Sequence, residues 1–85
     1  MKEIKYVVTD PLGIHARPAA SLVKEANKFE SKVVMECNGK SSEVSKLIAL
    51  MALGVKQGNT VTVTVEGSDE DAACNAVKKF LEENL

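Results

Sequence analysis

Between Thr60 and Glu66 the chain reads Thr-Val-Thr-Val-Thr-Val-Glu, with Val61, Val63 and Val65 alternating strictly with Thr60, Thr62 and Thr64. Successive side chains of a β-strand point to opposite faces, so the pattern specifies a strand with one buried face and one wet face. The β-branched residues suit a pleated surface. A sheet of such strands needs cover on its dry side only, and the rest of the chain must supply it.

Three further strands fit this reading. Residues 3 to 9 place Ile4, Tyr6 and Val8 on one face and Lys5 and Val7 on the other, and Asp10, Pro11 and Gly13 then break the run. Lys32 to Cys37 forms a third strand that meets Asn38-Gly39, a pair suited to a type I′ hairpin turn because both residues tolerate positive φ. The return strand is expected over Lys40 to Val44.

Helices fill the gaps. Pro18 suits a first helical position, where its missing N–H would be unpaired anyway, and Ala16, Ala19, Ala20, Val23 and Ala26 recur at helical spacing up to about Asn27. This sets His15 just before the first turn. A short middle helix is expected from about Lys46 to Leu53, ended by Gly54. Leu47 to Leu53 are all apolar, so part of this helix must meet other elements, solvent or a partner. The last helix is expected to take Ser68 as N-cap, with Asp71 three residues later as an approximate capping box. Asp69, Glu70 and Asp71 then oppose the positive helix end, and Ala73, Ala76, Val77, Phe80 and Leu81 form the buried stripe.

The order β-α-β-β-α-β-α contains no linker, repeat or low-complexity tract and implies an α+β fold. Periodicity leaves strand order open between a ferredoxin-like split βαβ and an open-faced sandwich. At 85 residues and 9.1 kDa the chain is expected to form one domain over residues 1–85, with a radius of gyration of about 12 Å. Eleven valines, with leucine, isoleucine and alanine, must carry the core, since Tyr6, Phe29 and Phe80 are the only aromatics. That scarcity argues against a base-stacking surface for single-stranded RNA.

No run approaches the roughly 20 apolar residues of a membrane span, and Met-Lys-Glu-Ile-Lys-Tyr lacks the apolar core of a signal peptide. A cytoplasmic protein without membrane insertion is expected. Cys37 and Cys74 are remote from each other and from any C-x-x-C or Cys/His cluster, so they read as reduced, partly buried thiols, and neither a metal nor a cofactor is expected. The net charge of −1 hides a split, with nine basic and six acidic groups in residues 1–65 against two and six in residues 66–85. No Lys/Arg stripe accompanies it, so nucleic acid is not an expected partner.

Chemistry concentrates in Gly13-Ile14-His15-Ala16-Arg17-Pro18-Ala19-Ala20, where the only histidine opens a helix and an arginine follows two residues later. Unpaired N–H groups and the positive helix end favour a bound anion, phosphate above all, along the Ala16-Arg17-Pro18 segment. Arg17 supplies a fork of donors for phosphoryl oxygens. No second acid or base accompanies His15, which argues against hydrolysis; these residues fit a phosphoryl acceptor, and they equally fit an ordinary surface or capping histidine.

Residues 13 to 20 closely resemble the active-site segment of the histidine-containing phosphocarrier family, HPr, of the bacterial phosphoenolpyruvate-dependent sugar phosphotransferase system. The resemblance continues through Asn38-Gly39-Lys40, through Leu50-Met51-Ala52-Leu53-Gly54-Val55-Lys56-Gln57-Gly58 and through Gly67-Ser68-Asp69-Glu70. It implies an open-faced β-sandwich, a four-stranded antiparallel sheet with three helices on one face. It also implies that His15 accepts a phosphoryl group on Nδ1 from phosphorylated enzyme I and passes it to sugar-specific IIA components, while Arg17 neutralises the group in transit. The protein would then be a carrier rather than an enzyme, acting as a monomer. The middle helix would dock both partners, with Leu47, Ile48 and Met51 as apolar contacts and Met51 able to adapt to either. Arg17, Lys24, Lys28, Lys46 and Lys56 flank these segments and would steer acidic partner surfaces toward them.

One departure bears on regulation. Many members carry a kinase-targeted serine immediately before the apolar residue that opens the second helix, and here that position is Lys46. Ser45 stands one residue earlier, a step of about 100° on a helix, so serine-linked control through Ser45 is expected to be absent or altered. Two other readings compete with the carrier. A regulatory module of the same fold would control a transcription factor or metabolic enzyme by docking, although relatives confined to regulation lack the active histidine. A ferredoxin-like RNA or metal binder is disfavoured by the missing aromatics and C-x-x-C.

Overall fold

A computed structural model describes residues 1–85. The elements are β1 (Lys2–Val7), α1 (Ala16–Ala26), β2 (Lys32–Cys37), β3 (Lys40–Glu43), α2 (Leu47–Met51), β4 (Thr60–Glu66) and α3 (Glu70–Asn84). The strands form one sheet in the order β1-β4-β2-β3, and every neighbouring pair is antiparallel. This is the open-faced sandwich, and the ferredoxin-like order is excluded.

The alternation of β4 produces the inner face. Val61, Val63 and Val65 are fully buried. In the register, Val63 lies between Ile4 of β1 and Met35 of β2, so one apolar row crosses three strands. The helices close over this face with Ala19, Leu22 and Ala26 from α1, Leu50 from α2 and Ala73, Val77 and Leu81 from α3. Each fully buried leucine contributes about 2 kcal/mol of transfer free energy. Cys37 belongs to this core and burial pushes its thiol up, whereas Cys74 is half-buried, and both are free thiols. The turn joining β2 and β3 has Asn38 at φ 55° and Gly39 at φ 78°, with Cys37 opposite Lys40, as the dipeptide implied.

Several boundaries differ from the sequence reading, each for a local reason. Helix α1 begins at Ala16, so Pro18 occupies the third helical position rather than the first. The first four N–H groups of a helix lack intrahelical partners, so proline is tolerated there too. Leu22 carries the α1 core contact, while Ala16 and Ala20 are exposed. Helix α2 stops at Met51 because Leu53 and Gly54 close tighter bonds to Leu50 O and Met51 O, both 3.2 Å. The N-cap of α3 is Asp69, not Ser68.

Asp69 is drawn away from capping. Its carboxylate accepts hydrogen bonds from Glu30 N at 2.8 Å, from Ser31 N at 2.9 Å and from Ser31 Oγ. Ser68 Oγ donates to Glu30 Oε2 at 3.1 Å. Glu70 pairs with the Met1 ammonium at 2.7 Å and Asp71 with Lys2 at 3.1 Å. The acidic start of α3 therefore fastens β1 and the loop before β2. The radius of gyration is 11.3 Å, and no helix is long and apolar enough to cross a membrane.

Candidate functional site

His15 is carried by a loop whose backbone is held from two sides. Asp10-Pro11-Leu12-Gly13 forms a turn closed by Gly13 N donating to Asp10 O at 2.9 Å, and Asp10 Oδ1 accepts from Leu12 N at 2.8 Å. Gly13 sits at φ +65°, and a Cβ there would strike the Val55 carbonyl and lie 2.8 Å from Lys56 Cα. Only glycine meets both demands. Ile14 is buried and its N–H donates to Val55 O at 3.2 Å.

The same support continues before the turn. Gly58 N donates to Val8 O at 2.8 Å, and Gln57 Nε2 donates to Thr9 O at 3.2 Å. From the opposite end of the chain, the Leu85 main-chain oxygen accepts from Thr9 N at 2.6 Å, Asp10 N at 2.8 Å and Thr9 Oγ1 at 2.9 Å. Segment 55–59 and the end of α3 thus fix the loop before it reaches His15.

His15 occupies the N-cap position of α1 with extended backbone, φ −118° and ψ 179°, and its side chain makes no capping bond. Its carbonyl accepts the first helical bond, from Ala19 N at 3.0 Å. The N–H groups of Ala16 and Arg17 precede that bond and have no acceptor within the chain, Pro18 has none to offer, and no acid stands in the first turn. The ring is half-buried, so it is steadied yet reachable, and Arg17 is exposed and outside every ion pair. Imidazole, guanidinium and unpaired amides stand at one helix start, an arrangement suited to receiving a dianionic group.

His15 and Arg17 stand at the protein surface. Grooves lie between β1 and α3, beside β2, and between α1 and α3, and none of these three is lined by a residue from 6 to 24. Another protein's surface can reach His15 directly.

The apolar contacts expected on α2 separate into two kinds. Ile48 is 79% exposed and Met51 38%, while Leu47 is half-buried against the core. Helix α2 packs against α1, and the Val55 carbonyl that holds Ile14 lies four residues beyond Met51, so this patch adjoins the loop of His15. Of the five flanking cations, Arg17, Lys24 and Lys56 are exposed and unpaired. Lys28 pairs with Glu25 at 3.0 Å and Lys46 with Glu43 at 3.7 Å. Lys46 is the N-cap of α2, and Ser45 is exposed beside it. Leu12, 70% exposed at the tip of the turn before His15, escaped the sequence reading because one leucine between two breakers forms no periodic pattern.

A family model described as PTS HPr component phosphorylation site matches residues 2–83. Phosphocarrier protein HPr of Mycoplasma pneumoniae is 46% identical over 85 residues, covering 99% of this chain and 97% of that protein. The crystal structure of HPr-C-His from Thermoanaerobacter tengcongensis is similar with a TM-score of 0.92 and 38% identity, over 98% of this chain and 93% of that one. Crh, the Bacillus subtilis catabolite repression protein whose crystal structure is an intertwined dimer with a swapped domain, is similar at a TM-score of 0.78 and 36% identity, over 100% and 98% of the two chains. The chain belongs to the HPr family of phosphocarrier proteins of the phosphotransferase system.

Proposed function

We propose that this protein carries a phosphoryl group on His15, taking it from phosphorylated enzyme I and giving it to IIA components of the phosphotransferase system. The observation that carries the reading is the open start of α1, where the lone histidine, the unpaired Arg17 and the free amides of Ala16 and Arg17 stand together on an exposed surface. Nδ1 is the acceptor that the family resemblance implies. Its lone pair forms a bond to phosphorus as the donor's bond breaks, and Arg17 with the helix-end amides meets the charge on the moving oxygens. Phosphoryl transfer through a loose transition state needs positioning and charge stabilisation more than acid–base groups, so the carrier requires no further catalytic residue of its own.

The test is incubation with phosphoenolpyruvate and enzyme I. One acid-labile, alkali-stable phosphate per chain is expected on the wild type and none on His15→Ala; a mutant that still acquires the label removes His15 from its role. The likeness to Crh favours a second reading, a regulatory module that acts by docking alone. That reading requires docking to a regulated partner to be the protein's function and to survive in His15→Ala, whereas the carrier reading requires phosphoryl transfer by the wild type that His15→Ala abolishes. Transfer through one reachable histidine needs one copy of the chain, and a sedimentation-equilibrium mass of 9.1 kDa is expected; a stable dimer contradicts this.

Serine-linked control through α2 is absent or altered on this reading, because an ion-paired lysine takes the N-cap position. ATP-dependent, acid-stable phosphorylation of Ser45 by a cognate kinase would overturn it.

A further inference from the structure

We propose that Leu12 is a docking residue for the acidic partner proteins that exchange the phosphoryl group, flanking His15 on the side away from α1. The inference rests on the reading of His15 as the acceptor. Leu12 is 70% exposed and stands outside the core cluster. Turn tips favour Asn, Asp, Ser and Gly for reasons of backbone geometry, so turn formation does not explain a leucine there.

The side chain is exposed on a fixed backbone. Pro11 before Leu12 has a fixed φ, the Leu12 N–H donates to Asp10 Oδ1 at 2.8 Å, and Gly13 after it is wedged against Val55 and Lys56. An apolar group already held in place loses little freedom when a partner covers it, which is the condition for an effective anchor.

Position supplies the second argument. The backbone that supports Gly13 and Ile14 is the run leading out of α2, where Gly54 N donates to Met51 O at 3.2 Å and Val55 O accepts from Ile14 N at 3.2 Å. The run that leaves α2 thus supports the two residues between Leu12 and His15, and exposed apolar side chains stand both on the loop, at Leu12, and on α2, at Ile48 and Met51.

Charge selects the occupant. Arg17 and Lys56 beside this surface are exposed and unpaired, while the carboxylate of Asp10 is engaged by the N–H of Leu12. An apolar contact inside a positive rim fits an acidic protein surface with an apolar depression. A second copy of this chain would bring like charge to like charge.

The test measures phosphoryl transfer from phosphorylated enzyme I against the concentration of this protein for wild type, Leu12→Ser and Leu12→Met. Leu12→Ser is expected to raise KM about tenfold with kcat unchanged, the signature of lost docking, and Leu12→Met to restore most of it. An unchanged KM overturns the proposal, and so does a fall in kcat at constant KM, which would mark Leu12 as part of the loop's geometry. Sedimentation of the same proteins tests the second-copy occupant: a wild-type dimer dissociated by Leu12→Ser overturns the proposal. If folded wild-type protein takes no phosphoryl group at all, the His15 reading fails; normal wild-type transfer with an indifferent Leu12→Ser defeats only this inference.

Discussion

Helices α1 and α3 begin with the same backbone feature and use it in opposite ways. At the start of α1 no side chain caps the helix, no acid stands in the first turn, and a histidine and an arginine flank the open amides. At the start of α3, Glu70 and Asp71 fill the first turn and Asp69 precedes them, each joined to another part of the chain. A helix N-terminus attracts negative charge wherever it occurs. Where the chain supplies that charge itself, the helix end becomes a fastening; where it withholds it, the end stays available for an external anion.

The contrast can be broken by making α1 resemble α3. Ala16→Asp places a carboxylate in the first turn of α1, where it competes with an incoming phosphoryl group. Transfer to His15 is expected to fall on the order of a hundredfold, the scale of losing preorganised charge stabilisation. The same substitution is expected to stabilise the fold by about 0.5 kcal/mol through the helix dipole. Stopped-flow transfer and urea unfolding read the two effects, and equal transfer rates in mutant and wild type would remove the open helix end from the account.

A smaller effect tests the loop that presents the site. Gly13→Ala introduces a Cβ against the Val55 carbonyl at positive φ. A loss of roughly 2–3 kcal/mol is expected, read as a lower urea midpoint at constant m. An unchanged midpoint would show that the contact with segment 55–56 does not fix this loop.

The smallest effect concerns the fastened helix and is a dependence on pH. The Ser31 hydroxyl, with the N–H groups of Glu30 and Ser31, holds the Asp69 carboxyl below its ordinary range, and the N-terminal ammonium does the same for Glu70. Depressed carboxyls add stability above their unfolded values, near pH 4, and that stability is lost as pH falls through the folded values. Lys2 has the opposite sign: its hydrogen bond to Asp71 raises it, so its contribution is present below about pH 10.5 and lost as pH rises through the raised value. Thermal melting is therefore expected to fall less steeply from pH 6 to pH 3 in Asp69→Asn than in wild type, and parallel curves would contradict the assignment. These groups keep contact with solvent, so the differences are modest and salt-sensitive.

The two regions also differ in how far they could be read from sequence. The β4 alternation, the Asn38-Gly39 turn and the α3 stripe follow from local periodicity and conformational preference; the structure contains the first two, and of the stripe it buries Ala73, Val77 and Leu81 and leaves Ala76 and Phe80 half-buried. His15 and Arg17 were visible as a pair, and their setting at an uncapped helix start followed once a helix was placed after them. The α3 start was misread because Ser68 is a good cap by local rules, yet both it and Asp69 are claimed by residues 30 and 31, a partnership nearly 40 positions away. Leu12 was missed for a related reason, since exposure is a property of the surroundings. Leu22 displaced Ala16 and Ala20 from the core once the helix took its register from tertiary packing.

The most direct test is nuclear magnetic resonance of isotope-labelled protein before and after phosphorylation by phosphoenolpyruvate and enzyme I. The account predicts a new nitrogen–phosphorus signature on the His15 ring, large amide shifts at Ala16 and Arg17, and negligible ones at Glu70 and Asp71. A phosphorylated protein whose His15 ring and α1 amides keep their original shifts would contradict it.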